Sequence, residues 1–441
     1  MKILFKKIIP KSMMVLYHKF LAILAPLVYG SPSEKMIVIG VTGTNGKSTT
    51  VNLIAKVLEV GGDKVGLTST VNFKVADREW LNNKKMTMVG RFQLQSLLKQ
   101  MVDAGCKYAV VETSSEGIKQ FRHRGINYDY VVFTNLTPEH LESHGGFENY
   151  KKAKGELFKH LMNKPKKKIF GREIQKISVI NIDDEHGDYY LQFPADKKIK
   201  FSTKKHGEDI FTATDIAVST KGTSFKFNNY EINLKLIGAF NVENSLPAIA
   251  IGVEENIDVT QIKKILEAVS VVPGRMEMID EGQSFSVLVD YAPEPYSMKK
   301  LYETITRLKD NEQATMNTKK IIHVLGSCGG GRDRARRPIL GKMAGENADF
   351  VIVTNEDPYD DEPLEIIDEV AAGAIDAGKI LDQNLFKILD RKEAIEKAVS
   401  LADEGDLVLV TGKGAEQAMA VSGGRYIKWD DREVIRAILK K

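Results

Sequence analysis

Gly40-Val41-Thr42-Gly43-Thr44-Asn45-Gly46-Lys47-Ser48-Thr49 stands between the apolar run Met36–Val41 and a stretch, Ser48 to Val60, with Leu53, Ile54, Val57 and Leu58 at helical spacing. A buried strand, a glycine-rich turn and a helix N-terminus in that order make a phosphate site. The glycines let the backbone amides around Gly43, Thr44, Asn45 and Gly46 turn inward. Lys47 reaches the outer phosphates, and Ser48, followed by Thr49, is placed to ligand Mg²⁺. A glycine-rich strand-to-helix turn without a ligand is common in α/β proteins, but Gly-Lys-Ser in this context favours phosphate. Alone, the motif specifies ATP or GTP and no more.

Outward from the loop, Tyr108–Glu112, Tyr130–Thr134 and Ser178–Ile182 read as further buried strands alternating with helices. That pattern predicts a parallel sheet covered on both faces, with ligands at the carboxyl ends of its strands. Between about Lys200 and Leu236 the pattern becomes strand-like and antiparallel, with turns at Lys221-Gly222 and Asn228-Asn229. Lys164 to Lys168 reads as a solvated turn. A second α/β pattern begins near Pro273, with strands at Ser286–Val289, Lys320–Leu325, Phe350–Thr354 and Asp406–Val410. The expected fold is therefore α/β. A short N-terminal helical segment (1–35) leads into a P-loop parallel-sheet ATPase domain (36–273), and a smaller Rossmann-like domain (274–441) follows.

The chain has 441 residues, 43% hydrophobic and 28% charged, which excludes a mostly disordered or fibrous protein. Its 63 Lys and Arg against 59 Asp and Glu leave a formal charge of +4, with no concentrated basic face for nucleic acid. Two cysteines, Cys106 and Cys328, exclude a disulfide framework and fit a reducing, cytoplasmic setting. Lys2, Lys6, Lys7 and Lys11 precede an apolar stretch from Met13 to Tyr29, broken by His18 and Lys19; the uninterrupted run Phe20–Tyr29 is too short to span a bilayer. A helix packed on the next domain is the expectation for residues 1–35, with a peripheral membrane or protein contact as the alternative.

Further motifs follow in order: Glu112-Thr113-Ser114-Ser115, Thr134-Asn135-Leu136-Thr137-Pro138-Glu139-His140-Leu141-Glu142-Ser143-His144-Gly145, and Tyr150-Lys151-Lys152-Ala153-Lys154-Gly155-Glu156-Leu157-Phe158. Phe240-Asn241-Val242-Glu243-Asn244, Pro273-Gly274-Arg275-Met276-Glu277, Asp290-Tyr291-Ala292 and the Gly326–Pro338 loop come next. Together with the Thr42–Ser48 form of the phosphate loop, this series resembles the Mur ligases and their folylpolyglutamate synthase relatives. The resemblance runs from about Val38 to Gly424. It is greatest to the branch that adds the third amino acid to UDP-N-acetylmuramoyl-dipeptide in peptidoglycan synthesis.

The resemblance implies an ADP-forming amide ligase using ATP and two Mg²⁺, acting on an amino acid and a muramoyl-peptide-like acyl substrate. Lys47, Glu112, His140 and Lys154 take the catalytic roles. Ser48, Glu112, His140 and Lys154 hold metal, the lysine after carbamylation by CO₂. Asn241 and Asn244 read adenine, Arg275 lies at the hinge, Asp290 holds ribose, and Arg332 and Arg334 face the phosphoryl group. Ser114, Ser115, Gln120 and Arg122 contact the acyl substrate; Glu356, Asp357, Tyr359, Gly412 and Glu416 read the acceptor. Without the motif, Glu112 is a solvated strand end, Lys154 a surface lysine, and Asn241 a helix N-cap. His144 reads as a satisfied polar residue and Cys328 as an ordinary one.

The sequence departs from the pattern at several points. Glu139 and Glu142 replace aspartates, Glu116 replaces a histidine, and Pro293-Glu294-Pro295 replaces His-x-Pro, removing a nucleotide contact. Tyr359 stands where an arginine clamps the acceptor carboxylate. The acidic stretch Glu356 to Glu362 suits a cationic acceptor or is a solvated loop. Only about forty residues precede the phosphate loop, so the family's N-terminal uridine-binding domain is expected to be lacking. A ligase for folate or another acyl substrate without UDP, and a nucleotide-binding regulator without ligase chemistry, are the alternatives.

Overall fold

Residues that are apolar without interruption become strands buried on both faces, and the computed structural model, which describes residues 11–139, 141–310 and 318–440, has them at the centre of its first sheet. The strands of the N-terminal half are β1 (Ile37–Thr42), β2 (Val65–Thr68), β3 (Asn72–Val75), β4 (Arg78–Leu81), β5 (Tyr108–Glu112) and β6 (Tyr130–Phe133). A small hairpin, β7 (Lys168–Ile169) and β8 (Arg172–Glu173), precedes β9 (Ile177–Asn181), β10 (Lys197–Ser202), β11 (Ile210–Ser219), β12 (Gly222–Phe227) and β13 (Tyr230–Leu234). Among the described residues they order as β13-β12-β11-β10-β9-β6-β1-β5-β2-β3-β4. β1 lies parallel between β5 and β6, with Val41 opposite both Glu112 and Val132.

Alternation along β1 splits the core. Ile37, Ile39 and Val41 pack with the helices Lys47–Leu58 and Phe240–Glu254; Met36 and Val38 pack with Arg91–Asp103 and Phe147–Leu161 on the other face. Antiparallel pairing is confined to the edges. β10 pairs parallel with β11, so the antiparallel part begins at β11, later than the composition of 200–236 implies. The expected turns at 221–222 and 228–229 do join β11 to β12 and β12 to β13. β2 to β4, short and mixed in polarity, have no counterpart in the sequence reading.

The second sheet comprises β14 (Glu277–Ile279), β15 (Ser286–Asp290), β16 (Ile321–Leu325), β17 (Phe350–Thr354), β18 (Leu385–Ile388) and β19 (Leu407–Thr411), ordered β14-β15-β19-β16-β17-β18. Only β14 runs antiparallel to its neighbour. Helices cover both faces, and a hairpin of β20 (Ala418–Val421) and β21 (Arg425–Lys428) follows. The architecture is the expected α/β one. Gly274, where the chain passes from the first sheet to the second, has a φ of 64° in the left-handed region and lies so close to Ala415 that a Cβ would sit 2.0 Å from its backbone nitrogen.

The helix Lys11–Val28 rests on the Arg122–Gly125 turn and on Arg91–Asp103. Ala22 and Ala25 are buried there, while Leu16, Phe20, Ile23 and Leu27 face outward. Among the described residues no helix is long and apolar enough to cross a membrane. The basic run 164–168 is not wholly solvated. Lys167 is buried, donating to the carbonyls of Ser33, Met36 and Asn127 and pairing with Asp129 at 2.5 Å. A buried carboxylate needs such compensation, and a surface-turn composition does not reveal it.

Candidate functional site

The phosphate loop is built by close approach. Gly46 (φ 79°) leaves no room for a side chain, since a Cβ would meet Asn244 Oδ1 at 2.1 Å. Behind the loop, the end of β6 holds it in shape: Asn45 N donates to Asn135 Oδ1 at 2.8 Å, Thr44 N to the Asn135 carbonyl at 2.8 Å, and Thr134 Oγ1 to the Asn45 carbonyl at 2.7 Å. Lys47 Nζ donates to the Thr44 carbonyl at 2.6 Å, and the helix Lys47–Leu58 points its N-terminus at the loop.

Glu112, ending β5, is buried. Its oxygens accept from Ser48 Oγ (2.8 Å), Thr70 N (2.7 Å) and Thr70 Oγ1 (2.9 Å). It is not the solvated strand end that a lone glutamate suggests. Lys154 is equally far from an ordinary surface lysine. Its ammonium is buried, donates to the Gly43 carbonyl at 2.6 Å, and lies 4.5 Å from the centre of the Tyr150 ring. Burial, helped by the charge of Lys47, holds its pKa well below the usual lysine value against the opposing pull of Glu139 and Glu112. Tyr150 ties the same helix to the loop through Thr44 Oγ1, 3.0 Å away. His140 lies outside the described residues; Glu139 beside it lines the cavity. His144 is a satisfied polar residue, 3.2 Å from Ser115 Oγ and 3.4 Å from Glu116.

A single cavity of about 590 Å³ runs from this loop between the two halves. Gly43 to Thr49, Glu112 and Lys154 line one end, and Ser114, Ser115, Gln120 and Arg122 another; Arg275, Asp290, Arg332 and Glu416 line the second-domain wall. Arg275 stacks over Tyr291 at 4.4 Å, and burial raises the pKa of Asp290 against the pull of Arg275. Asn244 lines the cavity. Asn241 does not, and it is no N-cap either. Ala239 holds that place, and Asn241 lies one residue inside the helix start, its Nδ2 donating to the Ile237 carbonyl at 2.8 Å.

Arg334 does not join the others. It is exposed and paired with Glu369 on the outer surface, because the helix beginning at Arg336 turns it away. Arg336 instead is buried and faces the cavity, with an unpartnered Nε. Sequence reading missed that distinction. It also missed Thr70 and Lys85, whose segments carry no familiar motif, and it read Glu294 only as part of a lost nucleotide contact. Glu356, Asp357, Tyr359 and Gly412 lie behind the cavity wall rather than on it. Glu356 accepts from Cys328 Sγ at 2.9 Å, and burial, with Glu356 beside it, pushes the Cys328 thiol pKa up, which leaves it a poor nucleophile.

The Mur ligase middle domain is matched over residues 41–252, and the Mur ligase glutamate ligase domain over residues 274–414. UDP-N-acetylmuramoyl-L-alanyl-D-glutamate--2,6-diaminopimelate ligase of Geobacillus thermodenitrificans is 38% identical over 430 residues, covering 96% of this chain and 83% of that one. UDP-N-acetylmuramyl-tripeptide synthetase of Roseiflexus sp. is 37% identical over 425 residues, covering 95% and 81%. A solved UDP-N-acetylmuramoyl-L-alanyl-D-glutamate--2,6-diaminopimelate ligase superposes with a TM-score of 0.59 at 28% identity, over 92% of this chain and 78% of that chain. Folylpolyglutamate synthase of Mycobacterium tuberculosis, at 17% identity, shares the fold with a TM-score of 0.67 over 89% and 92%. The chain belongs to the Mur ligase family, ATP-dependent enzymes that form carbon–nitrogen bonds.

Proposed function

We propose that the chain joins an amino acid to the carboxylate of a muramoyl-peptide-type substrate in peptidoglycan precursor synthesis, in the cytoplasm, with residues 36–273 and 274–441 as its two catalytic domains. One observation carries this reading. A continuous cavity links the phosphate loop, the Ser114–Arg122 wall and Glu416, so nucleotide, acyl substrate and acceptor can meet in one space.

In this reading the loop amides and Lys47 hold the ATP phosphates. The substrate carboxylate attacks the γ-phosphorus, ADP leaves, and an acyl phosphate forms. The acceptor's free amine then attacks the acyl carbon, loses a proton, and displaces phosphate. Arg332 and Arg336 offer positive charge to the transferring group, and positioning and electrostatics supply the acceleration. The hydroxyl of Ser48 and the carboxylate of Glu112 are hard oxygen donors suited to Mg²⁺, which when bound neutralises phosphate charge. A lysine whose pKa is lowered by burial loses its proton more readily and can then add CO₂, giving a carbamate and releasing a proton. Lys154 would thereby become an oxygen donor for a second Mg²⁺, together with His140.

The test is phosphate release by the full chain with ATP and Mg²⁺, crossing muramoyl-dipeptides with and without UDP, and folates, against all amino acids. Release that requires both a muramoyl-dipeptide and an amino acid is the expected result. Amino-acid-dependent release with folates alone would move the substrate class. No amino-acid-dependent turnover with any carboxylate would sink the reading.

A further inference from the structure

Lys85 lies in the first half of the molecule, on the loop between β4 and the helix Arg91–Asp103, yet its ammonium reaches the second half. It forms an ion pair with Asp357 and lies 3.2 Å from Glu416 Oε2, with only 3% of its side chain exposed. Its backbone adopts φ 49°, a left-handed conformation that costs free energy at a non-glycine residue and persists where surroundings enforce it.

The same two carboxylates also hold Lys413, whose Nζ is 3.0 Å from each oxygen of Asp357 and 2.6 Å from Glu416 Oε2. Two ammoniums therefore already balance two carboxylates. The neighbouring acids are engaged elsewhere: Glu356 with Cys328, Asp360 with the Gly423 amide, Asp361 with Arg337. The carboxylates of Asp357 and Glu416 are thus neutralised from within the chain. A third ammonium entering beside Asp357 and Glu416 would face two like charges in a site largely withdrawn from water, where both carboxylates are already paired.

We propose that Lys85 is a specificity-determining residue, a tethered cation that occupies the acidic part of the acceptor site and excludes amino acids with cationic side chains. The acceptor is then an amino acid with a neutral side chain, unlike the diaminopimelate in the names of several relatives. This rests on the function proposed above, in which the acceptor lies beside Glu416, with Asp357 directly behind that part of the wall.

Calorimetric titration of the full chain with Mg²⁺ and ATP tests it, using L-alanine, L-serine, L-lysine and meso-diaminopimelate as probes. Wild type is expected to bind a neutral amino acid about tenfold more tightly than either diamino acid. Lys85→Met, which keeps the volume but removes the charge, should shift that ratio about tenfold toward the diamino acids, and Lys85→Arg should keep the wild-type order. Lys85→Gln serves where melting curves show the methionine variant misfolded. Tightest wild-type binding of lysine or diaminopimelate, an unchanged ratio in the uncharged variant, or no amino-acid binding by any variant would each overturn the inference. Phosphate release decides the ligase reading separately, so failure of one is distinguishable from failure of the other.

Discussion

Asn45 Nδ2 donates to Glu294 Oε1 at 2.9 Å, so the phosphate loop of the first sheet is held by a carboxylate of the second half. Glu294 follows Pro293, which stands where the pattern has histidine, and it supplies a contact of its own. Its oxygens also cap the helix Pro295–Asp310 through the amides of Tyr296 (2.9 Å) and Ser297 (3.0 Å). Burial and the nearby charge of Glu139 raise its pKa. Glu294→Ala is expected to raise KM for ATP about tenfold, the size of one lost charge-assisted hydrogen bond of about 1.5 kcal/mol. Asn45→Asp, which sets carboxylate against carboxylate, should do more. Initial rates at varied ATP check both, and an unchanged KM would remove Glu294 from nucleotide binding.

Arg336 and Arg334 are two residues apart and should behave very differently. Arg336 is buried on the cavity wall, whereas Arg334 is exposed and paired with Glu369. Arg336→Met is expected to lower kcat by about 10²-fold, the usual range for one lost charge-stabilising donor. Arg334→Ala should stay within about twofold, because exposed ion pairs contribute little. Equal effects from the two variants would contradict the orientation of the loop.

The phosphate loop and the buried strands were legible because their physics is local. An uninterrupted apolar run such as Val131-Val132-Phe133 has few other places to go, and Gly-Lys-Ser after such a run has a narrow meaning. What escaped depends on distant partners. Lys167 looks solvated until Asp129 is placed beneath it, and Lys85 is an ordinary loop lysine until Asp357 and Glu416 face it. Residues Asn72 to Leu81 form edge strands too short and mixed for periodicity to announce. Arg334 and Arg336 are indistinguishable by composition; the helix start at Arg336 separates them.

Lys154 provides a chemical prediction independent of turnover. Burial lowers the pKa of this amine, which increases the unprotonated fraction able to react with CO₂. Incubation with ¹³C-bicarbonate should give a carbamate resonance in wild type that is absent from Lys154→Ala. Ligase activity should fall in CO₂-free buffer and return on adding bicarbonate. Undiminished activity of Lys154→Ala under a CO₂-free atmosphere would sink the carbamate assignment.

Acid should destabilise the protein through histidines buried in neutral form. His323 is fully buried, 2.6 Å from Tyr302 Oη and 2.9 Å from Thr411 Oγ1, and burial lowers its pKa to about 3. His160, 2.9 Å from the Ile126 carbonyl, is lowered by burial to about 4. In the unfolded chain both would titrate at the ordinary value, 6.5. Below that pH the unfolded state binds protons that the folded state refuses, so stability is full above about pH 6.5 and declines until the folded pKa is reached. Between pH 6.5 and pH 5 each ring should cost about 2 kcal/mol. Urea midpoints measured across this range should therefore fall steeply in wild type. His160→Gln, which is neutral at every pH, should lower the midpoint at pH 7.5 but flatten the decline. An equally steep decline in that variant would assign the acid sensitivity to other groups.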